Sequence, residues 1–261
     1  MTGYLSYEEI QKNSCKAYNE RPGELTGIDC PVCKNRGNFR EYKGGEIVTV
    51  ECSCMATRRS LWRAQKSGLG ELIDRCTLES FKVGSPWQEA IKQKAIDFLA
   101  DGSARWFYFG GQPGAGKTHI CAAIAGELLK AGLYTRYMMW RDDSTRIKAA
   151  VTDPTEYKRL VDPLKSADVL YIDDLFKSGG KWQRPSAGDI NLAFEIINSR
   201  YNSREKYTII SSECSWRQLL DADEAIASRI AERTQKKYLL SVSPDATKNY
   251  RTGGEGFCLE S

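Results

Sequence analysis

Gly111-Gln112-Pro113-Gly114-Ala115-Gly116-Lys117-Thr118 has the residue types needed to hold a polyphosphate, in the complete G-x-x-x-x-G-K-[ST] order. The glycines permit backbone angles and a close approach that a Cβ would block, so successive N–H groups can face phosphate oxygens. Lys117 is placed to reach the β and γ phosphates, and the Thr118 hydroxyl to bind Mg²⁺, with a helix N-terminus adding partial positive charge. The next residue, His119, is the one histidine. It is either a helix-start residue near the phosphates or a solvated bystander, and the second reading is favoured because nothing forms a dyad with it. Downstream, Asp173 and Asp174 close the apolar run Val169-Leu170-Tyr171-Ile172. That puts two acids at the C-terminal edge of a buried strand, where parallel sheets bind ligands. Asp173 is the expected Mg²⁺-holding acid and Asp174 the group that orients attacking water. The plainer alternatives are a Gly-rich connecting turn and a helix-capping Asp pair.

A second chemistry is written in cysteines. Cys30 and Cys33 have two residues between them in Cys30-Pro31-Val32-Cys33, and Cys52 and Cys54 flank Ser53. The two pairs bracket a hairpin-like segment with Gly44-Gly45 near its turn. Such pairs can meet as four thiolates around a tetrahedral Zn²⁺, although the second pair has one intervening residue instead of two. Metal binding would supply folding free energy to a segment with little apolar content. Four free thiols in a loop are the alternative; Cys15 and Cys76 lie outside the bracket. A redox role for Cys30 and Cys33 lacks its βαβ context. Cys121, Cys214 and Cys258 read as small core or surface residues.

Two basic segments stand out. Lys177, Lys181 and Arg184 flank Gly179-Gly180, with Trp182 among them, a combination that can hold single-stranded DNA by its backbone charge and stack a base, or simply be a solvated loop. Arg58, Arg59, Arg63 and Lys66 surround Trp62, and here a solvated helix is the better reading.

These residues need elements to carry them. From Arg105 onward, β-like runs alternate with helical ones, the signature of a parallel α/β sheet. Five strands are predicted at Trp106–Phe109, Tyr134–Met139, Val169–Ile172, Tyr207–Ser211 and Tyr238–Val242. A helix over about Asp189–Tyr201 carries the stripe Ile190, Ala193, Phe194, Ile197 and Tyr201, a core face. Another follows Pro86, with Trp87, Ile91, Ala95, Phe98 and Leu99 on one face. A short polar helix is predicted around Tyr7–Tyr18. No repeat or low-complexity tract is present.

At 261 residues with 41% hydrophobic positions, the chain is long enough for one full core and an appendage. A net charge of +4 is too mild to identify a nucleic-acid binder. Met1–Ile10 does not read as a secretory signal and no window reaches transmembrane length, so a cytoplasmic location with no membrane association is expected. Nine cysteines in a reducing compartment point to metal ligands and buried thiols.

The order of parts resembles the AAA+ helicase loaders of DnaC/DnaI type and their phage-encoded relatives. The resemblance runs over roughly residues 26 to 251. It is carried by the P-loop, Asp173-Asp174-Leu175-Phe176-Lys177, Thr208-Ile209-Ile210-Ser211-Ser212-Glu213 and Ala227-Ser228-Arg229-Ile230. It implies an AAA+ ATPase domain over 81–261, a five-stranded parallel sheet flanked by helices that binds ATP or ADP. Residues 1–80 would be a small zinc-bearing domain that grips the hexameric replicative helicase. It further implies placement of that helicase on single-stranded DNA and self-association through the ATP sites. In that family a polar sensor, usually Asn, follows the strand ending near Ser212. Glu213 stands there in this chain, where a carboxylate would repel phosphate unless paired, protonated or turned toward Mg²⁺, and Ser212 is the other candidate. Arg229 matches the arginine-finger segment, which enters a neighbour's ATP site. By spacing alone it reads as a surface arginine paired with Glu224 or Glu232. Arg251 sits where related ATPases have a second sensor. Asp174 replaces the commoner Glu, which implies slow, partner-stimulated hydrolysis. The competing readings are an IstB-type transposition helper, a P-loop kinase and a zinc adaptor that binds nucleotide without turnover.

Overall fold

The computed structural model describes residues 5–66, 69–177, 179, 182–245 and 249. The N-terminal part comprises helix α1 (Tyr7–Glu20), strands β1 (Asn38–Lys43) and β2 (Glu46–Glu51), and helices α2 (Cys54–Lys66), α3 (Leu69–Arg75) and α4 (Pro86–Ala100). There follow β3 (Trp106–Gly111), α5 (Lys117–Lys130), β4 (Thr135–Met139), α6 (Trp140–Ala149), α7 (Pro154–Ser166), β5 (Val169–Asp173) and α8 (Ala187–Tyr201). The chain continues through β6 (Tyr207–Ser212), α9 (Trp216–Ala222), α10 (Glu224–Arg233) and β7 (Leu239–Val242). No helix among the described residues is long and apolar enough to cross a membrane.

β3 to β7 form one parallel sheet in the order β4-β5-β6-β3-β7. Its inner strands β3 and β5 are buried throughout and β6 beyond Tyr207, as a parallel sheet covered on both faces requires. Alternation sorts their side chains between two cores. Phe107, Phe109, Val169, Tyr171 and Ile209 pack with α3, α4 and α5, while Trp106, Tyr108, Leu170, Ile172 and Ile210 pack with α8 and α10. Leu69, Ile73 and Cys76, N-terminal to the expected boundary at residue 80, belong to the first of these cores.

α8 departs from the predicted stripe. Its most buried residues are Leu192, Ala193, Ile196, Ile197 and Arg200, whereas Ile190, Phe194 and Tyr201 pack at the margin. The reason is Arg200. It is completely buried, donating to Thr208 Oγ1 at 2.9 Å and to the carbonyls of Leu164, Ala167 and Tyr207, so it ties α7, β5 and β6 together at the strand N-termini. A charged residue reads as solvent-facing in a periodicity count, which moves the apparent stripe off the true one.

The N-terminal unit is built from polar contacts. Ser6 and Glu9 form a capping box on α1. Tyr18 lies between the guanidinium groups of Arg36 and Arg40, at 4.2 and 3.9 Å. Asn19 exchanges two hydrogen bonds with the Arg40 backbone. β1 and β2 pair as a hairpin whose two turn residues, Gly44 and Gly45, have φ of 64° and 92°, the left-handed pair that a two-residue hairpin loop favours.

Candidate functional site

β3 leads into the P-loop and α5 leads out of it. Gly116, the cap of α5, has φ 80° and ψ 14°, and Gly114 has φ 78°. A Cβ on Gly111 would lie 2.1 Å from the Val242 carbonyl oxygen, so this glycine also lets the loop pass against β7. Gln112 Nε2 donates to the Asp245 carbonyl at 2.9 Å and Oε1 accepts from its N–H, fastening the loop to the segment after β7. Lys117 Nζ donates to the Gln112 carbonyl at 2.8 Å. Burial pulls this lysine below its ordinary pKa, against the opposing charges of Glu213 and Asp174.

Asp173, at the end of β5, is 7% exposed and accepts four side-chain hydroxyls. Thr118 Oγ1 (3.1 Å), Tyr171 (2.7 Å) and Ser211 donate to Oδ1, and Tyr137 (3.0 Å) to Oδ2. Burial, then the Asp173 charge, pushes the Tyr171 and Tyr137 phenols upward. The Thr118–Asp173 oxygen separation fits adjacent ligands of an octahedral Mg²⁺, whose bonds of about 2.1 Å place neighbouring oxygens about 3.0 Å apart. Tyr171, Tyr137 and Ser211 escaped the sequence reading. Tyr171 is two residues before Asp173 on one strand, and the pairing of Ile172 with Ile210 brings Ser211 beside it, so alternation and register carried the signal.

Asp174 begins a turn in which Asp174 and Phe176 have φ of 57° and 61°, unusual for residues with a Cβ. β6 holds the turn: Asp174 N–H donates to Ser211 Oγ (2.9 Å), Leu175 N–H to the Ser211 carbonyl (2.9 Å), and Ser212 Oγ to the Leu175 carbonyl (2.8 Å). Ser212 is completely buried in that contact, which corrects its candidacy as a phosphate contact. Glu213 instead lines a cleft of about 190 Å³ with Gly114, Gly116, Lys117, Thr118, His119 and Asp174. Lys177 Nζ bridges Asp174 (2.7 Å) and Glu213 (3.0 Å). Burial raises the Asp174 pKa and Lys177 pulls against that rise. Burial disfavours the Lys177 charge, but its two carboxylate partners outweigh that and raise its pKa.

The four cysteines form the second candidate site. Their sulfurs lie within 4.8 Å of one another, Cys30 to Cys52 at 3.7 Å and Cys33 to Cys54 at 3.5 Å. Zn–S bonds of about 2.3 Å in a tetrahedron require sulfurs about 3.8 Å apart, so the group fits Zn²⁺. Burial opposes a Cys33 thiolate, but the Gly37 N–H and the facing thiols outweigh it and lower this thiol to about 6. Arg58 donates to the Ile28 carbonyl (2.6 Å) and to Asn35 Oδ1 (2.9 Å), which also receives the Cys30 N–H, while Arg59 pairs with Glu51. Arg58 thus braces the cysteine knuckle, a correction to its part in the solvated-helix reading, whereas Arg59 makes an exposed pair as that reading expects. Cys15 and Cys76 are buried elsewhere.

A family model described as IstB-like ATP binding protein matches residues 63–249. The chain belongs to that family. Phage-like element PBSX protein XkdC of Bacillus subtilis strain 168 is 28% identical over 259 residues, covering 95% of this chain and 96% of that protein. Replicative helicase loader DnaC of Escherichia coli strain K12 is 31% identical over 113 residues, 42% of this chain and 46% of that protein. A solved structure described as DnaI shares the fold, with 24% identity, TM-score 0.50 and coverage of 66% of this chain and 92% of that one. The ATP-binding part of this IstB-like protein is thus the expected parallel five-stranded sheet flanked by helices.

The other predicted residues of this IstB-like ATPase lie apart or are otherwise engaged. His119 is half-buried, and its Nε2 lies 2.8 Å from the Thr77 carbonyl and 3.2 Å from Ser80 Oγ, with its ring edge against Phe81. It ties α5 to the turn after α3, which corrects the bystander reading. Arg229, on α10, donates to Asn198 Oδ1 (3.0 Å) and the Ala225 carbonyl (2.8 Å) and stacks over Phe194, partners other than the expected Glu224 or Glu232. Lys177 is held between Asp174 and Glu213, and it also lines, with Arg184, Arg141 and Lys148, a hollow of about 300 Å³, so the structure keeps it beside Arg184. Trp182 donates to Cys214 Sγ. Lys181, Arg251 and Cys258 lie outside the described residues.

Proposed function

We propose that this chain is an ATP-dependent loader that joins a hexameric replicative helicase and helps place it on single-stranded DNA, with nucleotide binding and hydrolysis as the switch. One observation carries the reading: a DnaC-like ATPase segment and a separate four-cysteine module occupy the same chain, and the module precedes the family match that begins at residue 63. In this reading the module, stapled by Zn²⁺, grips the helicase.

The P-loop N–H groups and the Lys117 ammonium hold the phosphates. Thr118 and Asp173 would hold Mg²⁺, which would neutralise phosphate charge. Tyr171, Tyr137 and Ser211 fix the Asp173 carboxylate. Asp174 orients the attacking water and accepts its proton. Its short side chain is tied to Lys177, so hydrolysis by the isolated chain is slow. Rapid steady-state turnover without partners would contradict this. Arg229 reaches a neighbour's ATP site by leaving Asn198, and mixing Arg229→Ala with Lys117→Ala chains tests it: restored activity in the mixture supports shared sites. Lys177, Lys181 and Arg184 contact single-stranded DNA, aided by Arg141, and neutralising the three is expected to weaken binding and flatten its salt dependence.

The deciding experiment is co-purification with the replicative helicase, with and without ATP and with zinc chelated. ATP- and zinc-dependent association is expected; none under any condition would remove the loader reading. The family match favours a second reading, a transposition helper that binds duplex DNA and a transposase. Preference for duplex over single-stranded DNA, together with no helicase association, would select it.

A further inference from the structure

Glu213 stands in a cleft where a negative charge opposes phosphate, and Lys177 is the group that offsets it. The Lys177 ammonium lies 2.7 Å from Asp174 Oδ2 and 3.0 Å from Glu213 Oε1. The three side chains are only 31%, 23% and 26% exposed, so salt screens them less than surface charges. Lys177 is brought there by the backbone. Its N–H donates to the Asp174 carbonyl at 2.9 Å, closing the left-handed turn that Ser211 and Ser212 pin to β6. Both carboxylates face the cleft that Lys117 and Thr118 line. With Lys177 removed, two unpaired negative charges would face the place where a P-loop lysine meets the β and γ phosphates. ATP carries there the group and the charge that ADP lacks, so the repulsion falls mainly on ATP.

We propose that Lys177 is a positioning residue that bridges Asp174 and Glu213 so that the cleft accepts a γ-phosphate, and that the Lys177–Glu213 pair sets the preference between ATP and ADP. The proposal rests on the ATP-site reading above and refines it. It also explains how a carboxylate can stand where a neutral polar sensor was expected: the pair presents little net charge.

The test measures ATP and ADP affinities of the full-length chain by calorimetry, in Mg²⁺ and again in EDTA to prevent turnover. Lys177→Ala is expected to lose about tenfold or more in ATP affinity, ~1.4 kcal/mol, while ADP affinity stays within about threefold. Lys177→Arg should keep the wild-type ratio. Adding Glu213→Gln to Lys177→Ala should recover most of the lost ATP affinity, which a merely structural role would not allow. ADP affinity in the same variants reports whether the cleft is folded. An equal loss for both nucleotides, an unchanged ratio, or a selective loss that Glu213→Gln leaves unrepaired would each overturn the proposal. A wild-type chain that binds neither nucleotide would overturn the ATP-site reading with it.

Discussion

The nucleotide cleft and the cysteine module reach defined geometry by opposite routes. Around Lys117, the shape is set by β3, β5 and β6, whose buried side chains fill two apolar cores, and a nucleotide would enter a site already held in place. In the module, the buried cluster consists of Cys30, Cys33, Cys52 and Cys54, with Phe39 and Met55 packed against it. So small an apolar group cannot offset the entropy of ordering the surrounding residues. The ligand therefore does different work at the two sites. In the proposed reading a nucleotide is a substrate of the fold at the cleft, whereas Zn²⁺ at the cysteines would be part of the fold.

Removing zinc is the strongest way to break that contrast. Chelation, or Cys33→Ser, is expected to unfold residues 20 to 60, a loss on the order of 10 kcal/mol of metal-binding free energy. The module should become protease-sensitive and lose amide protection while ADP affinity stays within about threefold. A module that keeps its protection after chelation would show that the Tyr18–Arg36–Arg40 stack and the Asn19 contacts suffice.

The same contrast governs what the sequence revealed. The P-loop, the acid pair, the five strands and the four cysteines could be read because each depends on local spacing or on a short periodic run. Arg200 and Lys177 could not. Each is a charged residue whose partners are fixed by tertiary packing: carbonyls of α7 and strand ends for one, a carboxylate across the sheet for the other. Ser212 was misread for a related reason. Its position along β6 was predictable, but whether its hydroxyl faces phosphate or the Asp174 turn depends on how β5 leaves the sheet.

Arg200→Met tests whether the sheet, rather than a ligand, maintains the cleft. The substitution leaves the Thr208 hydroxyl and several buried carbonyls without a donor, and is expected to cost about 3 kcal/mol of core stability. Denaturant unfolding should show the loss with and without zinc. A variant as stable as wild type would mean that water or backbone shifts replace the guanidinium.

Asp173→Ala moves to the cleft itself. Four hydroxyls lose this acceptor, one on the buried Tyr171 and one on the half-buried Tyr137, and the expected stability loss is about 2 kcal/mol. Under the Mg²⁺-holding role proposed for Asp173, turnover with Mg²⁺ should fall by about 100-fold or more. The comparison predicts that ADP binding in EDTA survives, because the P-loop is held by β3, β7 and Gln112. Complete loss of binding would mean that Asp173 shapes the loop, and would bring the cleft closer to the module in kind.

The smallest effect separates the two regions by pH. Glu195 on α8 accepts from Lys165 and Tyr157 of α7, in the helical layer over the sheet. Burial raises its pKa, but the Lys165 and Tyr157 hydrogen bonds outweigh burial and hold it below the ordinary glutamate range. A carboxylate with a lowered folded-state pKa contributes stability above its unfolded pKa, and that contribution disappears as pH falls through the folded value. The pair is solvent-screened, so Glu195→Gln should cost only ~0.5 kcal/mol at neutral pH and nothing once the carboxylate is protonated. Urea unfolding of wild type and variant across the acid range, with chelator present throughout, measures this difference in the ATPase core alone. Repeating the series with zinc adds the module, which sheds its metal as its thiolates take up protons. The module's transition should therefore precede core unfolding as pH falls and be identical in the two proteins. If Glu195→Gln shifted the module's transition too, the two regions would not be separate cooperative units.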